Sequence, residues 1–281
     1  MAARTARGPL MAIGGAEDKS GDRLILRELV RLAGGRRARL VVIPVASDFP
    51  RETGARYAEL FAELGVSATR VLQLDSRAAA DAPSAVRAVE RASGIFFTGG
   101  TQARIPRAIA GTALELAIHR RFAEGALLAG TSAGAAAMSD VMIVQGKGLS
   151  SARRGLVQKG AGLGLLSGVI VDQHFAERGR QGRLIAALAE HPRHLGLGID
   201  EDTAALLVGD ELEVLGSGSV CVLDASGLTY TNADETTAVG QRLALCDLRL
   251  HVLPAGQRFN LRTRRPIPRP LAELPFEATS A

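Results

Sequence analysis

The chain has 281 residues, 47% of them hydrophobic and 22% charged, an ordinary globular balance that excludes a disordered chain and allows one large or two small domains. A net charge of +5 raises the question of nucleic acid, but the arginines are scattered and only 4% of residues are aromatic, too few for base-stacking platforms. No apolar run approaches the roughly 18 to 20 residues of a membrane span, and the N-terminus reaches Pro9 without the apolar core of a signal peptide. The expectation is therefore a cytoplasmic protein with no nucleic-acid or membrane partner. Cys221 and Cys246 sit in strand-like apolar runs and are expected as free, buried thiols, with no cysteine or histidine spacing of a metal site.

In chain order, Pro9 to Ala16 reads as a buried strand ending in Gly14-Gly15. Asp22 to Leu32 carries apolar residues at helical spacing before Gly34-Gly35 stops it. A strand over Leu40 to Ala46, a helix over Glu52 to Leu64 and a strand over Thr69 to Leu74 continue a βαβαβ progression. A helix from Ala82 to Ala92, a strand from Gly94 to Thr98 and a helical segment from Ile105 to Glu124, interrupted near Gly111, follow. Near-continuous apolar strands alternating with amphipathic helices predict a largely parallel sheet sandwiched by helices, with ligands beyond the strands' carboxyl ends. Residues Gly146 to Gly168 read as a glycine-rich, basic loop over the site. A strand (Val169 to Phe175), a helix (Gly179 to Glu190) and a strand (Leu195 to Ile199) come next. The short strands beyond Thr203 read as a mixed or antiparallel extension of the same sheet. The expected organisation is one α/β domain, with a core over 8–225, a strand extension over 226–262 and a proline-bearing tail over 263–281, poorly ordered or a surface strap.

The chemistry centres on Leu127 to Met138, where an apolar strand runs into Gly130-Thr131-Ser132-Ala133-Gly134 and then an alanine-rich helix. Strand, tight turn and helix so compressed make a nucleophile elbow, with glycines giving the backbone room to expose the serine. The plainer alternative is a Gly/Ala-rich turn with a serine N-cap. Of five histidines, His174 alone ends an apolar strand, where this architecture places functional groups. Asp172, Asp200 and Glu201 are all candidates for an orienting acid, and strand alternation does not choose between them. Gly99-Gly100 can supply a backbone N–H to complement that of Ala133 at an oxyanion.

Four blocks, Phe97-Thr-Gly-Gly-Thr-Gln, Ala129-Gly-Thr-Ser-Ala-Gly-Ala, Asp172-Gln-His-Phe with Arg178-Gly-Arg-Gln-Gly-Arg-Leu, and Gly198-Ile-Asp-Glu-Asp-Thr-Ala, resemble the S51 serine peptidases in order and spacing. Within that family they are similar to the branch that degrades cyanophycin. The resemblance implies a class I glutamine amidotransferase-like fold, a homodimer and no cofactor or metal. It implies Ser132 as nucleophile, His174 as base, Glu201 as orienting acid, and Gly100 and Ala133 as oxyanion donors. It also implies a substrate pocket of Gln102, Asp172, Gln173, Arg178, Arg180 and Arg183, with Thr101 standing where an acidic or amide residue is expected. In that pocket Asp172 would take a substrate guanidinium and the arginines its carboxylates. The implied reaction is release of β-Asp-Arg dipeptides from a poly-aspartate backbone whose β-carboxyls carry arginine. The alternatives are an Asp-specific dipeptidase of the same family and a non-catalytic binding protein on the same fold.

Overall fold

The computed structural model describes residues 7–148, 151–234 and 236–268. Strand β1 (Leu10–Ile13) leads to α1 (Leu24–Leu32), and β2 (Arg39–Ile43) to α2 (Pro50–Glu63). Strand β3 (Ala68–Val71) precedes two short helices, α3 (Arg77–Asp81) and α4 (Pro83–Glu90), and β4 (Gly94–Phe97) precedes α5 (Arg104–Ile109) and α6 (Ala113–Ala123). Gly111, at φ +74°, breaks the last pair, and the Thr112 side chain accepts from the Glu115 N–H to start α6. Strand β5 (Leu127–Thr131) turns into α7 (Ala133–Ala137), followed by a hairpin of β6 (Val141–Gly146) and β7 (Val157–Ala161). Strand β8 (Val169–Gln173), α8 (Gln181–Glu190) and β9 (Leu195–Ile199) come next, then β10 (Thr203–Val208), β11 (Glu211–Gly216), β12 (Ser219–Asp224), β13 (Tyr230–Thr231), β14 (Leu245–Cys246), β15 (Arg249–Pro254), β16 (Arg258–Asn260) and β17 (Arg265–Ile267).

The central sheet has the order β17-β16-β11-β10-β1-β5-β4-β2-β3. Its five strands from β1 to β3 are parallel, and β10, β11, β16 and β17 extend it antiparallel. Strand alternation divides its core: Met11, Ile13, Leu40 and Val42 pack under α1 and α2, whereas Leu10, Ala12, Val41 and Ile43 face the opposite layer.

Four expectations are corrected in whole or in part. The late strands do not all extend one sheet: β8, β9, β12 and β15 form a second sheet in the order β15-β12-β9-β8. Helix α7, five small residues long and fully buried, packs against β1, β4 and β5 on one side and β8 on the other. Its alanines leave so little bulk that a second sheet, rather than a helix layer, closes over it. Within the segment 146–168, Gly146 and Val157–Ala161 pair in the β6–β7 hairpin, whose alternation the Gly and basic content hides; the other described residues lie outside strands and helices, and residues 149–150 lie outside the described residues. The tail's first residues pair as β17 with β16, and its remainder, 269–281, lies outside the described residues. Both thiols are free, but Cys246 is exposed on the small β13–β14 ladder and Cys221 is half-buried, so neither is the fully buried thiol expected.

Candidate active site

Four backbone features shape the nucleophile turn. Ser132 takes φ +51°, ψ −112°, a conformation a non-glycine residue holds only under constraint. A Cβ on Gly130 would lie 2.5 Å from the Gly134 carbonyl carbon, and one on Gly134 would lie 2.3 Å from the Phe97 oxygen, so both positions require glycine. Ala133 is the first residue of α7, and its N–H has no intrahelical acceptor. Gly99 lies beside the serine, where an added Cβ would sit 3.4 Å from Ser132 Cβ, while Gly100, at φ +136°, leaves no space against the Ala46 carbonyl.

The carboxyl end of β1 ties the site together. Ile13 O accepts from Ser132 N–H, Gly14 O from His174 N–H and Gly15 O from Asp202 N–H, each at 2.9 Å. His174, itself at φ +48°, rests its ring on Gly15. Its Nε2 lies 2.8 Å from Ser132 Oγ and its Nδ1 2.6 Å from Glu201 Oε1. This spacing makes the serine hydroxyl a donor to Nε2 and Nδ1–H a donor to the carboxylate. Burial pushes the His174 pKa below its usual value; Arg178 and Arg180 push the same way and Glu201 opposes them. The imidazole is thus neutral near pH 7, the form that accepts a proton.

The three acids that alternation left open have separate employments. Glu201 meets the imidazole. Asp200 accepts from the N–H groups of Ala176 and Ser219, both at 3.1 Å. Asp172, fully buried, receives Arg183 Nε at 2.6 Å and its Nη2 on the other oxygen, a bidentate pair. Arg180 reaches the carbonyl and side-chain oxygens of Gln173, and its own burial lowers its pKa to about 10. Asp172, Gln173, Arg180 and Arg183 are therefore buried and bonded to one another, contrary to the expectation that Asp172 offers itself to a substrate guanidinium. The anion that offsets these cations at the start of α8 comes from the chain itself. Gln102 donates its amide to the carbonyls of Ile143 and Val144, at 2.8 and 2.9 Å, and so holds β6. Arg178 alone of the three arginines is exposed, close enough to act on the histidine.

A family model for peptidase family S51 matches residues 10–215. The chain belongs to peptidase family S51. A curated cyanophycinase from a Nostoc species is 43% identical over 261 residues, covering 92% of this chain and 87% of that protein. Another, from Geminocystis herdmanii, is 42% identical over 263 residues, covering 93% and 96%. The crystal structure of a peptidase from an acI-B1 Actinobacterium superposes with a TM-score of 0.67 at 24% identity, covering 91% of this chain and 98% of that one, a likeness of fold.

In this S51 peptidase, Ser132 and His174 open onto a pocket of about 640 Å³. Its far wall is formed by residues that sequence reasoning missed: Glu17, Lys19, Phe49, Glu52, Arg56 and Tyr57. Glu17 is buried, accepts from Thr131 Oγ1 at 2.6 Å and from the Tyr57 hydroxyl, and pairs with Lys19 at 3.0 Å. Burial, with Glu17 beside it, raises the Tyr57 pKa well above its usual value, so the phenol remains a donor. The available signal was an acid four residues beyond the carboxyl end of β1, at the edge where α/β sheets bind ligands. Among the described residues no group of three or more His, Cys, Asp or Glu could hold a metal ion, and no helix is long and apolar enough to cross a membrane.

Proposed function

We propose that this S51 peptidase hydrolyses the poly-aspartate backbone of cyanophycin and releases β-Asp-Arg dipeptides. The observation that carries the reading is the Ser132–His174–Glu201 relay, at 2.8 and 2.6 Å, opening onto a pocket in a chain 43% identical to a curated cyanophycinase. Ser132 Oγ attacks the backbone carbonyl as its proton passes to His174 Nε2, and Glu201 holds the ring and steadies the imidazolium. The N–H groups of Ala133 and Gly100 receive the developing oxyanion. His174 then returns the proton to the departing amine, leaving an ester on Ser132, and a water activated by the same imidazole hydrolyses it. Arg178 holds a substrate carboxylate at the rim. The buried set Asp172, Gln173, Arg180 and Arg183 shapes the turn that carries His174, with Gln102 bracing the neighbouring hairpin.

With this reading go a cytoplasmic location, a homodimer and a single peptidase domain over the whole chain. Light scattering tests the dimer. The activity is tested by incubating purified cyanophycin with the enzyme and weighing the soluble products. Dipeptide alone marks cleavage from the end of the polymer, and a ladder marks internal cleavage. Ser132→Ala abolishes release while leaving thermal unfolding unchanged; turnover by that variant at the wild-type rate overturns the assignment.

A further inference from the structure

A substrate branched with arginine presents a guanidinium beside the bond to be cut, and Asp172 is already bound to Arg183. The catalytic pocket carries its own charges. Lys19 pairs with Glu17 at 3.0 Å and Arg56 with Glu59 at 3.2 Å. Glu52, exposed on the first turn of α2, has no ion-pair or hydrogen-bond partner among the described residues. Such a carboxylate suits a helix start, so Glu52 alone decides nothing. Three residues earlier, at the N-cap, Phe49 is 68% exposed on the same pocket, while Tyr57, Phe61 and Phe96 stack together in the core nearby.

An isolated exposed phenylalanine is ordinary on a protein surface. This one stands on a braced loop. Ser47 Oγ meets Thr53 Oγ1 at 2.7 Å and accepts from Phe49 N–H at 3.0 Å, Arg104 holds Asp48 at 2.7 Å and the Ser47 carbonyl at 3.0 Å, and Pro50 restricts the Phe49 backbone. Thr101 N–H donates to the Ala46 carbonyl at 2.8 Å, which couples this loop to the Gly99-Gly100 turn beside the serine. The backbone that carries the ring is therefore braced at the mouth of the pocket, which Glu52 also lines, and this lowers the ordering cost when a ligand arrives.

We propose that Phe49 and Glu52 form the subsite for the guanidinium of the substrate's arginyl branch. The cation lies on the ring face and donates to the carboxylate; a lysyl ammonium, without the planar fork, fits it less well. This inference rests on the function proposed above. The test compares wild type, Glu52→Gln and Phe49→Ala on an aspartyl oligomer branched with arginine and on its counterpart branched with citrulline, equal in shape but uncharged. Wild type prefers the arginyl substrate. Glu52→Gln raises KM for it about tenfold with kcat little changed and leaves the citrullyl KM unaltered, and Phe49→Ala also reduces the preference. An arginyl-to-citrullyl ratio unchanged in both variants overturns the subsite alone. Failure of the wild type to cleave either oligomer overturns the parent reading and this inference together. Both positions are exposed, and thermal unfolding of each variant verifies its fold.

Discussion

Gly15→Ala is the sharpest test of the site's geometry. An added Cβ would lie 2.4 Å from His174 Cε1 and 2.6 Å from Nε2. Carbon atoms pack at roughly 3.5 Å or more, so the ring must withdraw by about 1 Å. That withdrawal breaks a 2.8 Å contact to Ser132 and a 2.6 Å contact to Glu201 together. A displacement of that size costs about 10²-fold in kcat/KM. The backbone at φ +100° adds strain of about 1–3 kcal/mol for a non-glycine residue, each kcal/mol lowering Tm by about 2–4 °C. Gly35→Ala separates the two effects: Gly35 is also left-handed, at φ +62°, but an added Cβ meets nothing within 4 Å. The control should lose stability and keep wild-type kcat/KM, measured as dipeptide release alongside thermal unfolding. A folded Gly15→Ala enzyme with wild-type kcat/KM would refute the placement of the imidazole.

Two further outcomes follow from the same geometry. Arg178 depresses the His174 pKa, so Arg178→Ala raises it and moves the acid limb of the kcat/KM profile to higher pH, whereas Arg178→Lys leaves the limb in place. A limb that stays put in the alanine variant contradicts the electrostatic role. Asp172→Asn strips the charge from a buried pair and costs about 3–5 kcal/mol in denaturant unfolding. It leaves the arginyl-to-citrullyl preference intact. If stability survives and the preference is lost, Asp172 is the substrate's ligand and Phe49–Glu52 is not.

The parts written in local pattern were legible in the sequence. Gly130 and Gly134 announce the turn at Ser132 because their missing side chains are needed within a few residues of it. His174 stands out because it closes a strand that opens with Val169-Ile-Val and turns polar only at Asp172-Gln173. The parallel half of the central sheet follows from the same alternation of buried strands and amphipathic helices. What depends on distant partners was hidden. Asp172, Asp200 and Glu201 look alike until Arg183, Ser219 and His174 each claim one of them. The second sheet was invisible because β8 and β9 are as apolar as central strands, and only the thinness of α7 brings them together over it. Glu17 and Tyr57 meet across forty residues, a separation that no short window spans.

The carbonyls of Ile13, Gly14 and Gly15 have a consequence for how the enzyme comes into being. A ribosome makes this anchor first and its final guest, Asp202, far later. Ser132, His174 and Asp202 reach the three carbonyls in that order of synthesis, so the relay is complete only once Glu201, the neighbour of the last, has followed the serine and the histidine.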